Sequence, residues 1–184
     1  MNRTVTLIIV ALGAGALGAG IAWWMQQRDH AHDVVEIQPP GPPTVAPAFT
    51  LNDLHGNPRE SSEWQGRTVV LNFWATWCAP CRREIPVLVE LQAQHDPNEL
   101  TVLGIAIDEA DAVSEYVRQI GMTYETLVGQ MDAIDVVTAY GNRIGALPYT
   151  VIIGKDNKIE WIHAGEVTKE MLVEEGYLPD TAVD

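Results

Sequence analysis

Cysteine is almost missing from this chain: its 184 residues hold two, Cys78 and Cys81. Two are too few to staple a small secreted scaffold, so the fold must rest on apolar packing. Basic residues are also scarce, 11 Lys and Arg against 25 Asp and Glu, for a net charge of −14. Such an acidic surface repels phosphate backbones, which argues against nucleic acid as a partner. Low-complexity charged blocks and internal repeats are absent, and 47% of the residues are hydrophobic, which excludes a disordered chain. The five histidines, His30, His32, His55, His95 and His163, are scattered. With only two thiols, a four-ligand zinc site is not expected.

Charge is wholly absent from residues 5–25, VTLIIVALGAGALGAGIAWWM. At about 1.5 Å per residue the run spans roughly 32 Å, enough to cross a hydrocarbon core of about 30 Å. Arg3 precedes it, and Trp23 and Trp24 close it with indoles suited to the membrane interface. A cleaved signal peptide competes with this reading, because Gly18, Ala19 and Gly20 are small enough for processing. The run is longer than the usual apolar core of about 7–15 residues, so residues 1–28 are expected to form an uncleaved transmembrane signal-anchor. Gly13, Gly15, Gly18 and Gly20 fit a helix–helix contact, but such glycines more often occur simply because membrane spans tolerate them. Residues 29–46 are rich in proline (Pro39, Pro40, Pro42, Pro43) and read as an extended linker. One globular domain, residues 47–184, follows.

Within that domain the turn formers Asn52 to Asn57 predict an N-terminal hairpin. Residues 68–75 (TVVLNFWA) and 100–107 (LTVLGIAI) read as buried strands. A helix is expected from the cysteines toward Gln94, with Ile85, Leu88, Val89 and Leu91 on its apolar face. Further helices are expected over 110–120, closed by Gly121, over 132–140 and after Thr168. Strands are expected near 125–128, at 150–153 and at 158–163, the last two joined by an Asp156-Asn157 turn. The alternation predicts an α/β domain: a central mixed β-sheet with helices on both faces.

The chemistry lies in Trp74-Ala75-Thr76-Trp77-Cys78-Ala79-Pro80-Cys81. A structural disulfide at this spacing would close a very short loop and add little stability. A redox pair fits better, because a strand gives way to a helix here and Cys78 would sit at the helix N-terminus. Unsatisfied N–H groups and the positive dipole end stabilise a thiolate there. Arg82 and Arg83 add positive charge. Cys78 is then the attacking thiol and Cys81, one turn inward, the resolving thiol. Asp108-Glu109 and Glu174-Glu175 read as solvated element ends without chemistry.

Trp77-Cys78-Ala79-Pro80-Cys81 after Phe73-Trp74-Ala75 resembles the thioredoxin superfamily, and within it the membrane-anchored TlpA/ResA-like thiol-disulfide oxidoreductases. Pro86, five residues past Cys81, matches the proline that kinks the family's active-site helix. Gly145-Ala146-Leu147-Pro148-Tyr149-Thr150 looks like its cis-proline loop. The resemblance implies a thioredoxin-like fold, with the hairpin and a transmembrane helix ahead of it. It also implies a substrate surface of Trp77, Ala79, Pro80, Leu147 and Pro148, where the Leu147 backbone pairs with a substrate strand. Trp74 is expected in the core. The buried Asp of ordinary thioredoxins is matched by Asn72, which cannot titrate. A Glu at the place of Glu84 is typical of the TlpA/ResA-like branch and is implied to tune the cysteines and handle protons; the plain alternative is a first-turn Glu facing the helix dipole.

The implied function is extracytoplasmic disulfide reduction by dithiol exchange at Cys78 and Cys81, without a bound cofactor. Implied partners are a protein disulfide such as apocytochrome c and a transmembrane thiol electron donor. The implied place is the cytoplasmic membrane, with the domain in the periplasm or extracytoplasmic space. An oxidase of exported thiols, a thioredoxin-fold peroxidase and a non-catalytic, membrane-tethered redox switch remain as alternatives.

Overall fold

A computed structural model describes residues 23–24 and 41–179. Trp23 and Trp24 are helical and exposed, and the rest of the expected membrane span lies outside the described residues. Among the described residues no helix is long and apolar enough to cross a membrane.

The expected hairpin is present as β1 (Thr50–Asp53) and β2 (Pro58–Glu60), followed by a short 3-10 turn, Ser61–Trp64. Asp53 makes the reversal, its Oδ1 accepting from the backbone N–H of His55 and of Asn57 at 2.8 and 2.9 Å. Then come β3 (Thr68–Trp74), α1 (Ala79–Ala93), β4 (Leu100–Ile107), α2 (Ala110–Ile120), β5 (Glu125–Gly129), α3 (Met131–Ala139), β6 (Tyr149–Ile153), β7 (Ile159–Ala164) and α4 (Lys169–Glu174). The strands make one sheet in the order β2-β1-β5-β4-β3-β6-β7. Its centre, β3, β4 and β5, is parallel, and the flanking pairs are antiparallel.

The near-continuous apolar runs of β3 and β4 follow from cover on both faces of the sheet. Alternate residues of β3 divide between them. Val70 and Trp74 pack with Ile85, Leu88 and Leu91 of α1, Val113 of α2 and Leu172 of α4. Val69, Leu71 and Phe73 pack on the other face with Val137 of α3, Tyr140 and Trp64. Each fully buried aliphatic side chain contributes roughly 1.5–3 kcal/mol, so three on α1 suffice to seat it on the sheet. Val89 is only half-buried, and the face that seats α1 includes Cys81 and Glu84 instead. The helix stop at Gly121 is a left-handed residue, φ +65°. At the N-terminal entry Val45 bridges to Lys158, and the Ala46 N–H donates to Asn157 O at 3.0 Å. Because β3, β4 and β5 run parallel, their C-terminal ends open at one edge of the sheet, which is where sites form in such folds.

Candidate active site

At that edge β3 hands over to α1 through Ala75, Thr76 and Trp77. The register pairs Trp74 with Ala106, so Thr76 and Asp108 both lie two residues beyond the last pair. Asp108 is therefore not the solvated end expected from sequence. Half-buried, its Oδ2 accepts from the Thr76 backbone N–H at 3.1 Å and from the Thr76 hydroxyl, bracing the loop ahead of the cysteines. Glu109 is exposed, as expected, and so are Glu174 and Glu175.

Cys78 is the N-cap of α1 and Pro80 lies in its first turn, where a missing N–H costs nothing. The Cys81 N–H points at Cys78 Sγ, 3.3 Å away, and the two cysteines form a disulfide with Cα atoms 5.3 Å apart. The two cysteines are unequally buried: Cys78 retains 5% of its surface and Cys81 none. Access is thus narrower than a helix tip suggests, and it lies on the expected side. Trp77 stands out beside it at 68% exposure, Ala79 is exposed and Pro80 half-buried, while Trp74 is wholly in the core. Pro86 sits inside α1 on its exposed side. The two arginines are occupied: Arg82 Nε donates to the Tyr116 hydroxyl at 3.1 Å with its guanidinium over that ring, and Arg83 is paired with Glu166.

The Leu147–Pro148 peptide bond is cis, as the resemblance implied. Asn142 shapes the loop before it, donating to Ala146 O at 2.7 Å and accepting from Ala146 N–H at 3.1 Å. Gly165 N–H then holds Pro148 O at 2.9 Å. Leu147 and Trp77 line one groove, and the Leu147 backbone N–H and C=O have no hydrogen-bond partner among the described residues. A separate cleft, lined by Val69, Trp64 and Tyr140, opens toward the other end of β3 and holds none of the expected site residues.

Glu84 has no exposed surface, which removes the first-turn dipole reading. Its Oε1 accepts from Asn72 Nδ2 at 2.7 Å and its Oε2 from the Val167 N–H at 2.9 Å. Burial pushes its carboxyl up to about 7, helped by the nearby Glu166 charge and opposed by the two donated hydrogen bonds. Asn72 also donates to Thr150 Oγ1 at 3.0 Å. Sequence reasoning marked Asn72 as a departure but missed this role, together with Thr150 and Val167. The register Asn72–Thr150 brings the first contact, and the loop after β7 brings the second. Neither had a local signal. Among the described residues, no group of three or more His, Cys, Asp or Glu could hold a metal ion.

Comparison with known proteins agrees with this geometry. The AhpC/TSA family model matches residues 43–162. The thiol-disulfide oxidoreductase ResA of Geobacillus thermodenitrificans is 35% identical over 128 residues, covering 69% of this chain and 71% of that protein. ResA of Bacillus anthracis is 37% identical over 134 residues, 72% of this chain and 74% of the relative. Among solved structures, a thiol:disulfide interchange protein of the thioredoxin family from Chlorobium tepidum superposes with a TM-score of 0.64 at 27% identity. That match covers 76% of this chain and all of the other. The chain belongs to the AhpC/TSA family of thioredoxin-fold proteins and is a thiol-disulfide oxidoreductase of the ResA-like kind.

Proposed function

We propose that the chain is a membrane-anchored, extracytoplasmic protein-disulfide reductase. It hands two electrons to disulfides of exported proteins, the haem-binding cysteines of apocytochrome c among them, and a transmembrane thiol reductant recharges it. The observation that carries this reading is the unequal burial of the two cysteines at the head of α1, with Glu84 buried on the same helix face as Cys81.

The reaction closes on the two cysteines. In the reduced protein, the Cys81 N–H and the helix terminus stabilise a Cys78 thiolate. It attacks one sulfur of the substrate disulfide, forming a mixed disulfide and expelling the other sulfur as a thiolate, which takes up a proton. Cys81 then loses its proton and attacks Cys78 Sγ, and the second substrate thiol leaves. The dithiol is oxidised by two electrons and the substrate disulfide is reduced by two, so no bound cofactor is required. Glu84, with its carboxyl near 7, is suited to take the Cys81 proton and release it. Trp77, Ala79 and Pro80 form the rim, and the unpartnered Leu147 backbone beside Pro148 pairs with the substrate strand.

Charge near the dithiol supports the reducing direction. An oxidant of this fold has its reduced, thiolate form stabilised. An ionised Glu84 does the opposite, disfavouring a second negative charge in the dithiol and making it readier to give its electrons away.

The test is redox equilibration of the full chain against thiol buffers, followed by mixing the reduced form with disulfide-form apocytochrome c. A potential below about −230 mV, with one substrate disulfide reduced per chain, is the expected result. A potential above about −150 mV would make it an oxidase of exported thiols.

A further inference from the structure

The groove beside Trp77 continues into two further clefts. Its first stretch is mainly apolar, lined by Trp77, Leu147, Ile144, Ile107 and Ile134, with Arg143 its one charged residue. Ile107 and Ile134 also line the next stretch, with Asp108, Glu109 and Met131. Asp108 and Glu109 in turn pass into a third, with Asp53 and Asp132. Shared residues make the three one trough. One wall is the end of β4 with the chain leading into α2, and the other is α3 followed backward from Val137 to Met131.

Two properties of this trough point to its occupant. Ile144, Met131 and Trp77 are 88, 69 and 68% exposed, and large apolar side chains left to solvent along a groove that starts next to the CxxC motif mark a protein contact. The far stretches carry four carboxylates and no Lys or Arg. None of Asp53, Asp108, Glu109 or Asp132 joins an ion pair among the described residues. A second copy of this acidic chain would bring like charge to that end. A segment with positive charge at the same distance from its disulfide would be complementary.

We propose that the trough docks an extended segment of the protein substrate that is apolar beside its disulfide and basic three or four residues farther on. The proposal rests on the reductase reading above and deepens it to a substrate class. The spacing comes from α3: from Val137 to Met131 the helix rises about 9 Å, at about 1.5 Å per residue, which about three residues of extended chain cover. The Lys or Arg side chain reaches the carboxylates from there.

The experiment uses the reduced full-length chain and two synthetic peptides. Each has an intramolecular disulfide flanked by leucines, and the positions three and four residues outward on both sides are lysine in one and glutamate in the other. The second-order rate of dithiol oxidation is read from tryptophan fluorescence. The lysine peptide is expected to react about tenfold faster at about 20 mM salt, and the ratio to fall to about twofold at about 0.5 M. Glu109→Lys should cut the low-salt ratio to about threefold or less, whereas Glu174→Lys, an exposed acid outside the trough, should leave it unchanged. Equal rates for the two peptides, or equal effects of the two variants, overturn the docking proposal and leave the reductase reading standing. If neither peptide oxidises the dithiol, both fall.

Discussion

Glu84 is held by donors alone. Asn72 and the Val167 N–H both point at its oxygens, and neither can accept a proton from it. The carboxylate is therefore satisfied in hydrogen bonding yet short of solvation, which is why burial prevails and its carboxyl stands near 7. The folded protein binds this proton more tightly than the unfolded chain does. Between the ordinary glutamate value and about 7, stability should fall as pH rises, and above about 7 the loss, about 3 kcal/mol, is complete. Glu84→Gln should abolish that slope. Allowing about 1 kcal/mol for a mismatched amide, the oxidised variant should be about 1–3 kcal/mol more stable than wild type at pH 8 and comparable at pH 5. Urea denaturation at the two pH values measures this, and an unchanged slope in the variant would place the titration elsewhere. The rate of disulfide exchange should likewise lose an inflection near pH 7.

At the scale of elements, the junction of β3 with α1 depends on its neighbour β4. Asp108 accepts two hydrogen bonds from Thr76, so Asp108→Ala should cost about 1–3 kcal/mol and slow exchange by releasing the loop ahead of Cys78. Asp108→Asn, which keeps an acceptor, should fall between, as thermal melts and peptide-disulfide kinetics would show; a wild-type Asp108→Ala would deny the brace. β4 also carries Gly104, between Asn72 on β3 and Thr126 on β5. A Cβ there would lie 3.0 Å from Trp74 Nε1 and 3.1 Å from Thr126 Oγ1. Gly104→Ala should destabilise by about 1–3 kcal/mol and shift the emission of buried Trp74; full stability would mean that the layer gives way freely. The elements themselves were legible because their patterns are local: apolar runs for β3 and β4, the CxxC at a strand–helix change, Gly121 as a stop. Asp108 was misread for the converse reason. Its partner Thr76 lies 32 residues away, and only the parallel register brings them level.

Over the whole molecule, the thioredoxin-like order was readable from the alternation of strands and helices together with the cysteine and Leu147-Pro148 motifs. What was not readable was lateral. The hairpin's place beside β5 depends on which edge each strand takes. So do the Asn72–Glu84–Thr150 contacts across α1, β3 and β6 and the acidic end of the trough, and nearest-neighbour sequence carries no record of it. The acidity was visible at once as a net charge of −14. Its concentration along one route from the dithiol was not.

Turnover depends on a division of labour between two cysteines, one of which keeps a little surface while the other keeps none. Intact-mass analysis of Cys81→Ser and Cys78→Ser chains after exposure to a disulfide peptide tests it directly. Cys81→Ser should accumulate a stable mixed disulfide on Cys78, and Cys78→Ser should form at least tenfold less in the same time. Equal adducts on the two variants, or none on Cys81→Ser, would contradict the account.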